Sequence, residues 1–166
     1  MIEASIDPAI FRKVLGSYPT GVCAITALDA EKQPVAMVVG TFTSVSLDPP
    51  LVGFLPDKGS STWPRIEGAG HFCVNVLGSD QQELCRQLAA RGPDKFLGVD
   101  FEISPHGVPV LSKAIARIEC SIRSVTDAGD HWFVLGNVLH LETTREDDPL
   151  LFHRGRYGGF AEIQFP

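Results

Sequence analysis

The stretch TGVCAITALDAEKQPVAMVVGTFT, residues 20–43, decides the fold class of this 166-residue chain. It contains two runs rich in Val, Ile, Ala and Thr, at 20–28 and 35–43, separated by the polar segment 29–33. Val, Ile and Thr are enriched in strands, and a short polar connection typically joins antiparallel neighbours. The stretch therefore predicts a β-hairpin.

Strand patterns continue along the chain. Residues 51–55, which follow two prolines, and residues 71–77 read as strands. Ile118, Cys120 and Ile122 alternate with polar residues, which predicts a half-buried strand, whereas 132–141 is apolar on both faces and predicts a central one. Strands dominate without regular alternation with helices. This favours a closed or partly open antiparallel barrel over a doubly wound sheet.

Three short helices are predicted from their start signals. Asp7 followed by proline begins the first, which ends at Gly16, and the Ser-Ser-Thr run before Pro64 marks the start of the second. Ser79 and Gln82 have the spacing of a capping box for a third helix, running to about residue 90.

Composition narrows the function classes. The chain has 44% hydrophobic residues and a net charge of -6, which fits one domain over residues 1–166 and argues against nucleic-acid binding. Its first residues lack a signal-peptide pattern and no apolar run approaches about 20 residues, so we expect no membrane span and a cytoplasmic location. Four widely spaced cysteines are expected to be reduced core residues: Cys23, Cys73, Cys85 and Cys120.

Several common catalytic motifs are absent from the sequence. It contains neither GxGxxG nor GxxxxGK[ST], which would indicate a Rossmann unit or a P-loop. It also lacks HExxH and GxSxG, and no two of its five histidines stand three or four residues apart. We therefore expect no metal site.

Two hydroxyl-rich segments remain as a candidate anion site. Hydroxyls, a lysine and free amides at a helix N-terminus are the groups that bind phosphate. Each segment alone is more typical of a solvated strand face or a helix cap. The two segments contain Thr41, Thr43, Ser44 and Ser46, then Lys58, Ser60, Ser61 and Thr62.

Six motifs in a fixed order extend this observation over nearly the whole chain. Together they resemble the flavin reductase family, which includes the small reductase components of two-component flavin monooxygenases. The motifs are YPTGVCAIT (18–26), TFTSVSLDPPLV (41–52), FCVNVLGSDQ (72–81), GVPVL (107–111), GDHWFVLGNV (129–138) and PLLFHRGRYGG (149–159).

The resemblance implies a mainly β fold, a six-stranded antiparallel FMN-binding split barrel of Greek-key type with short flanking helices. It also implies a homodimer, hydride transfer from NADH or NADPH to FMN or FAD, and a possible separate oxygenase component. By position, Met37, Val38, Val39, Gly40 and Thr41 would line the isoalloxazine ring, with Ser44 nearby. Pro56, Asp57, Lys58, Ser60, Ser61, Thr62 and Trp63 would meet the ribityl phosphate, and His131 and Tyr157 the nicotinamide.

Some alternatives stay open. Relatives often carry a Gly-Met-Thr-Val-Asn type run where this chain has AMVVG, residues 36–40, which removes donors near the ring and leaves FMN and FAD both possible. The lack of an obvious basic pocket for a 2′-phosphate favours NADH. Rival hypotheses are a flavoprotein that retains FMN and acts directly on a substrate, and a non-enzymatic split barrel that carries a ligand or haem.

Overall fold

The computed structural model describes residues 6–164, in which strands predominate. The helices of this part are α1 (Pro8–Leu15), α2 (Trp63–Ala69) and α3 (Gln82–Ala89), with 3-10 turns at Ser79–Gln81 and Asp94–Phe96. The strands are β1 (Thr20–Gly21), β2 (Cys23–Leu28), β3 (Pro34–Val39), β4 (Thr43–Leu47), β5 (Pro50–Phe54), β6 (His71–Val76), β7 (Phe101–Ile103), β8 (Pro109–Leu111), β9 (Ala116–Ala128), β10 (His131–Thr143), β11 (Leu151–His153) and β12 (Arg156–Gly158).

The main sheet is antiparallel, with strand order β3-β2-β6-β9-β10-β5-β4. Its two edge strands are consecutive in the chain, joined by residues 40–42. A flat sheet of this order would hold its edges about 29 Å apart, whereas the backbone from Val39 to Thr43 reaches at most about 14 Å. The sheet must therefore curl into a barrel that brings β3 and β4 close together.

The predicted barrel class is confirmed, with a difference in strand count. Seven strands are paired in the main sheet where six were expected, and β5 and β6 are separated by β9 and β10, as a Greek-key path requires. The predicted hairpin forms, with Cys23 opposite Val39. Its second strand ends at Val39 instead of residue 43, because the chain turns at Gly40, where a Cβ would lie 2.7 Å from the Thr20 hydroxyl.

The helix starts are confirmed for α1 and α2 and shifted for α3. The Asp7 carboxylate accepts a hydrogen bond from Ala9 N at 2.7 Å, as expected of an N-cap. The predicted Ser79–Gln82 capping box is wrong by one position: Gly78 N donates to the Gln81 side chain at 2.9 Å. A 3-10 turn therefore precedes α3.

Side chains alternate between two hydrophobic clusters. Ile25, Phe54 and Phe72 belong to one inside the barrel, and Ala24 and Leu88 to another beneath α3. The four cysteines are buried, as predicted. β10 lies between β9 and β5, as expected of a central strand, although its last residues are exposed. Between residues 6 and 164, no helix has the length and apolar character needed to cross a membrane.

Candidate functional site

A cleft of about 1010 Å³ lies beside β3. One wall is residues 33–38, which include most of β3, and a second is the segment that leads into α2. The third is the end of α3 with the loop after it. The walls consist of residues 33–38, Asp57, residues 59–62, Arg65 and residues 88–97.

The walls differ in chemistry. Met37 and Val38 offer an apolar surface on the β3 side. The opposite side carries three neighbouring hydroxyls, those of Ser60, Ser61 and Thr62. The same space is lined by three cationic side chains, those of Arg65, Arg91 and Lys95. The carboxylates of Asp57 and Asp94 also line it. A recess that combines an apolar surface with convergent polar groups is typical of small-molecule sites.

Ser60 is committed to the start of α2. Its Oγ accepts hydrogen bonds from Thr62 N and Trp63 N, both at 3.2 Å. The expectation that the amides here would be free for an anion is therefore wrong for these two. The Ser60 hydroxyl still has its own proton to donate, and accepting two N–H bonds makes it a better donor.

Arg65 is held in place from behind by a buried carboxylate. Its Nε and Nη2 donate to Asp29 Oδ2 at 3.1 and 2.5 Å. Asp29, only 4% exposed, also accepts from the backbone of Glu31 and Gln33 in the β2–β3 turn. The Arg65 side chain, followed by Gln33 N, lowers the pKa of Asp29. The guanidinium is thus fixed at the edge of the cleft.

Lys95 belongs to the loop that forms the third wall. Its Nζ donates to the carbonyl oxygen of Ala36, in β3, at 3.0 Å. The loop is fixed to α3 because Gln87 Nε2 donates to the carbonyls of Lys95 and Leu97 at 3.0 and 2.8 Å. Burial, and then the nearby charge of Arg65, lower the pKa of Lys95.

The segment before α2 pairs with the turn between β9 and β10. Trp132 N donates to Pro56 O and Lys58 N donates to Asp130 O, both at 2.9 Å. The Lys58 side chain forms an ion pair with Asp127 and stands 4.5 Å from the Trp132 ring centre. This ion pair is the main reason that the pKa of Asp127 is lowered.

The two residues predicted to meet the nicotinamide lie in different sheets. His131 begins β10 and forms a bridge with Asp57, and its Nδ1 lies 2.7 Å from Asp130 Oδ1. Tyr157 lies in β12, part of the three-stranded sheet β1-β11-β12, and its hydroxyl accepts a hydrogen bond from the Cys85 thiol at 3.3 Å. The structure joins His131 to the predicted phosphate segment and packs Tyr157 against α3.

The predicted flavin residues fall into two sets. Six line the cleft: Met37, Val38, Asp57, Ser60, Ser61 and Thr62. Seven do not line it: Val39, Gly40, Thr41, Ser44, Pro56, Lys58 and Trp63. Of these seven, Trp63 is 2% exposed and packs edge-on against Phe54, and the Thr41 hydroxyl bonds with the backbone of Leu55. The flavin contacts of both sets stay predictions.

The cations of the cleft were not predicted from the sequence. Arg65 follows Thr62 by three residues, a spacing that places both on one side of a helix, so it could have been found from the helix prediction. Lys95 lies in a loop more than thirty residues from Thr62, and no local pattern connects the two. Its position depends on how the loop folds back on β3.

Comparison with known proteins identifies the family. The family model described as "Flavin reductase like domain" matches residues 15–161. The chain belongs to this family. Among its curated relatives, a flavin reductase of Pseudomonas putida is 52% identical and covers 98% of this chain and 96% of its own length. The reductase subunit HsaB of a flavin-dependent monooxygenase from Rhodococcus jostii is 49% identical, over 93% of this chain and 79% of its own length.

Solved structures agree with this membership of the flavin reductase family. Nitrilotriacetate monooxygenase component B from Mycobacterium thermoresistibile superposes with a TM-score of 0.88 at 41% identity, covering 95% of this chain and 92% of the other. The NADH:FAD oxidoreductase SgcE6 of Streptomyces globisporus, solved with NAD and FAD fragments, gives a TM-score of 0.87 at 33% identity, with 95% and 97% covered. The resemblance recognised from the six motifs is confirmed.

Proposed function

We propose that this protein is an NAD(P)H-dependent flavin reductase that binds FMN or FAD in the β3 cleft and releases reduced flavin to a separate oxygenase component. One observation carries the site: a single cleft joins an apolar β3 wall to a wall of hydroxyls and cations. The relatives named above as reductases and reductase subunits of monooxygenases support the activity.

The residues of the cleft fit a flavin. A flat apolar ring requires apolar side chains against it, which Met37 and Val38 provide, and a dianionic phosphate requires charge-assisted donors. Ser60, Ser61 and Thr62 supply hydroxyl donors across the cleft. A cleft of about 1010 Å³ lies at the upper end of the usual range of ligand sites, about 300–1,000 Å³.

The protein contributes mainly orientation to this chemistry. A bound flavin supplies the group that accepts a hydride from reduced nicotinamide. The β3 wall of the cleft would orient the ring, and the hydroxyls would hold its phosphate end. Holding two reacting groups roughly 3–3.5 Å apart removes much of the entropic part of the activation barrier to hydride transfer. This role agrees with the absence of a triad or paired-carboxylate pattern in the sequence.

His131 has a defined orientation for a role at the nicotinamide. Its Nδ1 donates to Asp130 Oδ1 at 2.7 Å, which leaves Nε2 available to a ligand. The backbone bridge between His131 and Asp57 ties the ring's position to a residue that lines the cleft. These contacts support a role for His131 as a binding and orienting residue for the nicotinamide.

The activity is tested by following NADH oxidation at 340 nm with FMN or FAD as acceptor. We expect absorbance loss that depends on both the enzyme and the flavin. No loss with either flavin contradicts the proposal. The visible spectrum of the purified protein separates the rivals, since retained flavin indicates a flavoprotein acting directly on a substrate and a Soret band indicates a haem carrier.

We also propose a homodimer. The side chains of α1 are exposed along its apolar face, with Phe11 at 54% and Val14 at 61%. An exposed apolar stripe on a helix is typical of a surface covered by another chain. A second copy of this chain is the partner that the family resemblance implies. Sedimentation equilibrium should give twice the monomer mass, and Phe11→Glu should shift it towards the monomer.

A cytoplasmic location forms part of the proposal. The four cysteines are buried thiols without disulfide partners, as is usual in reducing compartments. Fractionation of the source cells should place the NADH-dependent flavin reductase activity in the cytosolic fraction. Activity confined to another compartment would contradict this location.

A further inference from the structure

We propose that Arg65 and Lys95 are the cations that bind the phosphate of the flavin, and that Lys58 instead anchors the turn that carries His131. The proposal rests on the function proposed above and goes beyond it, because family position assigns the phosphate to the segment containing Lys58. It names two residues of the site that the family resemblance did not assign.

Lys58 is already occupied by partners outside the cleft. Its ammonium forms an ion pair with Asp127 and lies 4.5 Å from the centre of the Trp132 ring. Both partners belong to the β9–β10 hairpin, and the backbone of Lys58 bonds to Asp130 as well. Lys58 does not line the cleft, although Asp57 and Gly59 on either side of it do. Its contacts therefore stabilise the hairpin turn and, through it, the position of His131.

Arg65 has the opposite arrangement. Its Nε and Nη2 are used by the buried Asp29, which holds the guanidinium in one orientation. Among residues 6–164, Nη1 has no hydrogen-bond partner, and the side chain is 50% exposed on the wall of the cleft. A guanidinium carries five N–H donors in a rigid plane, so a fixed edge remains for an anion.

Lys95 also retains donors. Its Nζ uses one hydrogen bond, to the carbonyl of Ala36, out of the three that an ammonium can make. The neighbouring charge is that of Arg65, and this like charge and burial both lower the pKa of Lys95. Two cations that face one cleft and repel each other are stabilised when an anion binds between them.

The remaining charged residues of the cleft, Arg91, Asp57 and Asp94, are consistent with an anion at this place. Asp57 directs Oδ1 to the backbone N of Gly59, at 2.5 Å, and so closes its own turn. Asp94 lies next to Lys95 in the loop. The hydroxyls of Ser61 and Thr62 line the same cleft as the two cations. A phosphate there would combine hydroxyl donors with two charge-assisted ones, the usual composition of a tight phosphate site.

Riboflavin separates phosphate recognition from ring recognition, because it shares the ring with FMN and lacks the phosphate. The experiment measures kcat/KM with FMN and with riboflavin, at saturating NADH, for the wild type and for Arg65→Gln, Lys95→Met and Lys58→Met. Lys113→Met serves as a surface control, since Lys113 is exposed and lies outside both regions. Circular dichroism and melting curves establish that each variant is folded.

We expect Arg65→Gln and Lys95→Met each to lower the FMN-to-riboflavin ratio about tenfold, the usual loss of one charge-assisted hydrogen bond. Riboflavin turnover should change less than about twofold, and Lys95→Arg should restore most of the ratio. Lys58→Met should leave the ratio within about twofold and raise the KM for NADH instead.

Two results would overturn the assignment. One is a fall in the ratio with Lys58→Met as large as that with Lys95→Met. The other is an equal loss of FMN and riboflavin turnover in the Arg65 and Lys95 variants, which would indicate a purely structural role. If no flavin is reduced at all, the proposed function fails, and fluorescence titration with FMN and riboflavin still decides which lysine binds the phosphate.

Discussion

Two lysines near the same cleft, Lys58 and Lys95, have opposite electrostatic surroundings. Lys58 forms an ion pair with Asp127 and stacks over an indole. Lys95 bonds to a neutral carbonyl, that of Ala36, and its charged neighbour is Arg65. Lys58 is therefore satisfied without a ligand, whereas Lys95 gains from an incoming anion.

This difference separates two roles, the binding of the phosphate and the positioning of His131. The region of residues 56–58 and the β9–β10 turn forms a continuous backbone and side-chain network that fixes His131. The region of Arg65 and the loop around Lys95 is fixed to β3, α3 and the β2–β3 turn and presents unused donors. The ammonium of Lys58 is already paired with Asp127, whereas Arg65 and Lys95 keep donors that their partners do not use.

The largest effect is expected from Asp29→Asn, which removes the charge that orients Arg65. The Tm should fall by roughly 5 °C at pH 7, because a nearly inaccessible carboxylate serves Arg65 and two backbone amides at once. The folded state lowers the pKa of Asp29, so its stabilisation is present above the ordinary value of about 3.9 and is lost as the pH falls through the lowered value.

Calorimetry from pH 7 down to pH 3 tests this sign. The Tm gap between wild type and Asp29→Asn should be constant above about pH 5 and should narrow below about pH 4. Asp127→Asn is the matched control, since Asp127 is exposed and its ion pair contributes little to stability. A gap that widens on acidification, or an equal Tm loss in both variants, would contradict the distinction between the two regions.

A second effect is expected where the cationic loop meets α3. Gln87→Ala removes both side-chain hydrogen bonds that hold the loop, to Lys95 O and Leu97 O. Trypsin should cut after Arg91 or Lys95 several times faster in this variant, while Lys58, held by the hairpin network, stays uncut on the same timescale. Peptide mass mapping of timed digests measures this.

Saturating FMN should slow cleavage of the loop, and riboflavin should slow it less, because only FMN carries the phosphate that we place beside Lys95. Gln82→Ala is a suitable control, since Gln82 lies on the same helix as Gln87 and does not line the cleft. Faster cleavage after Lys58 in Gln87→Ala would show that the two regions are not independent.

How much of this was predictable from sequence depends on the range of the interactions. The barrel followed from local patterns, since β2, β3, β9 and β10 each carry a recognisable periodicity. The hydroxyls of residues 60–62 were recognised from a contiguous segment of the sequence, and Met37 was assigned from the family resemblance. The cations were not predicted. Lys95 reaches the site only when its loop folds onto β3. Lys58 pairs with Asp127, 69 residues away in the chain, and does not line the cleft.

The smallest effect compares the two lysines directly, through protons taken up when FMN binds. Burial and Arg65 lower the pKa of Lys95, and a bound phosphate dianion favours its charged form, so FMN binding at mildly alkaline pH should take up a fraction of a proton. The phosphate itself does not titrate there, because its second pKa is about 6. Calorimetric titrations in two buffers of different ionisation enthalpy, between about pH 8 and pH 10, measure the uptake.

Riboflavin corrects for any ionisation of the ring, since it shares the ring and lacks the phosphate. The uptake should vanish in Lys95→Met and persist in Lys58→Met, because Lys58 is paired with Asp127 outside the cleft. An uptake that vanishes in Lys58→Met instead would mean that Lys58 leaves Asp127 for the phosphate. In that case the hairpin turn and the flavin site would be coupled through a single lysine, and His131 would move when flavin binds.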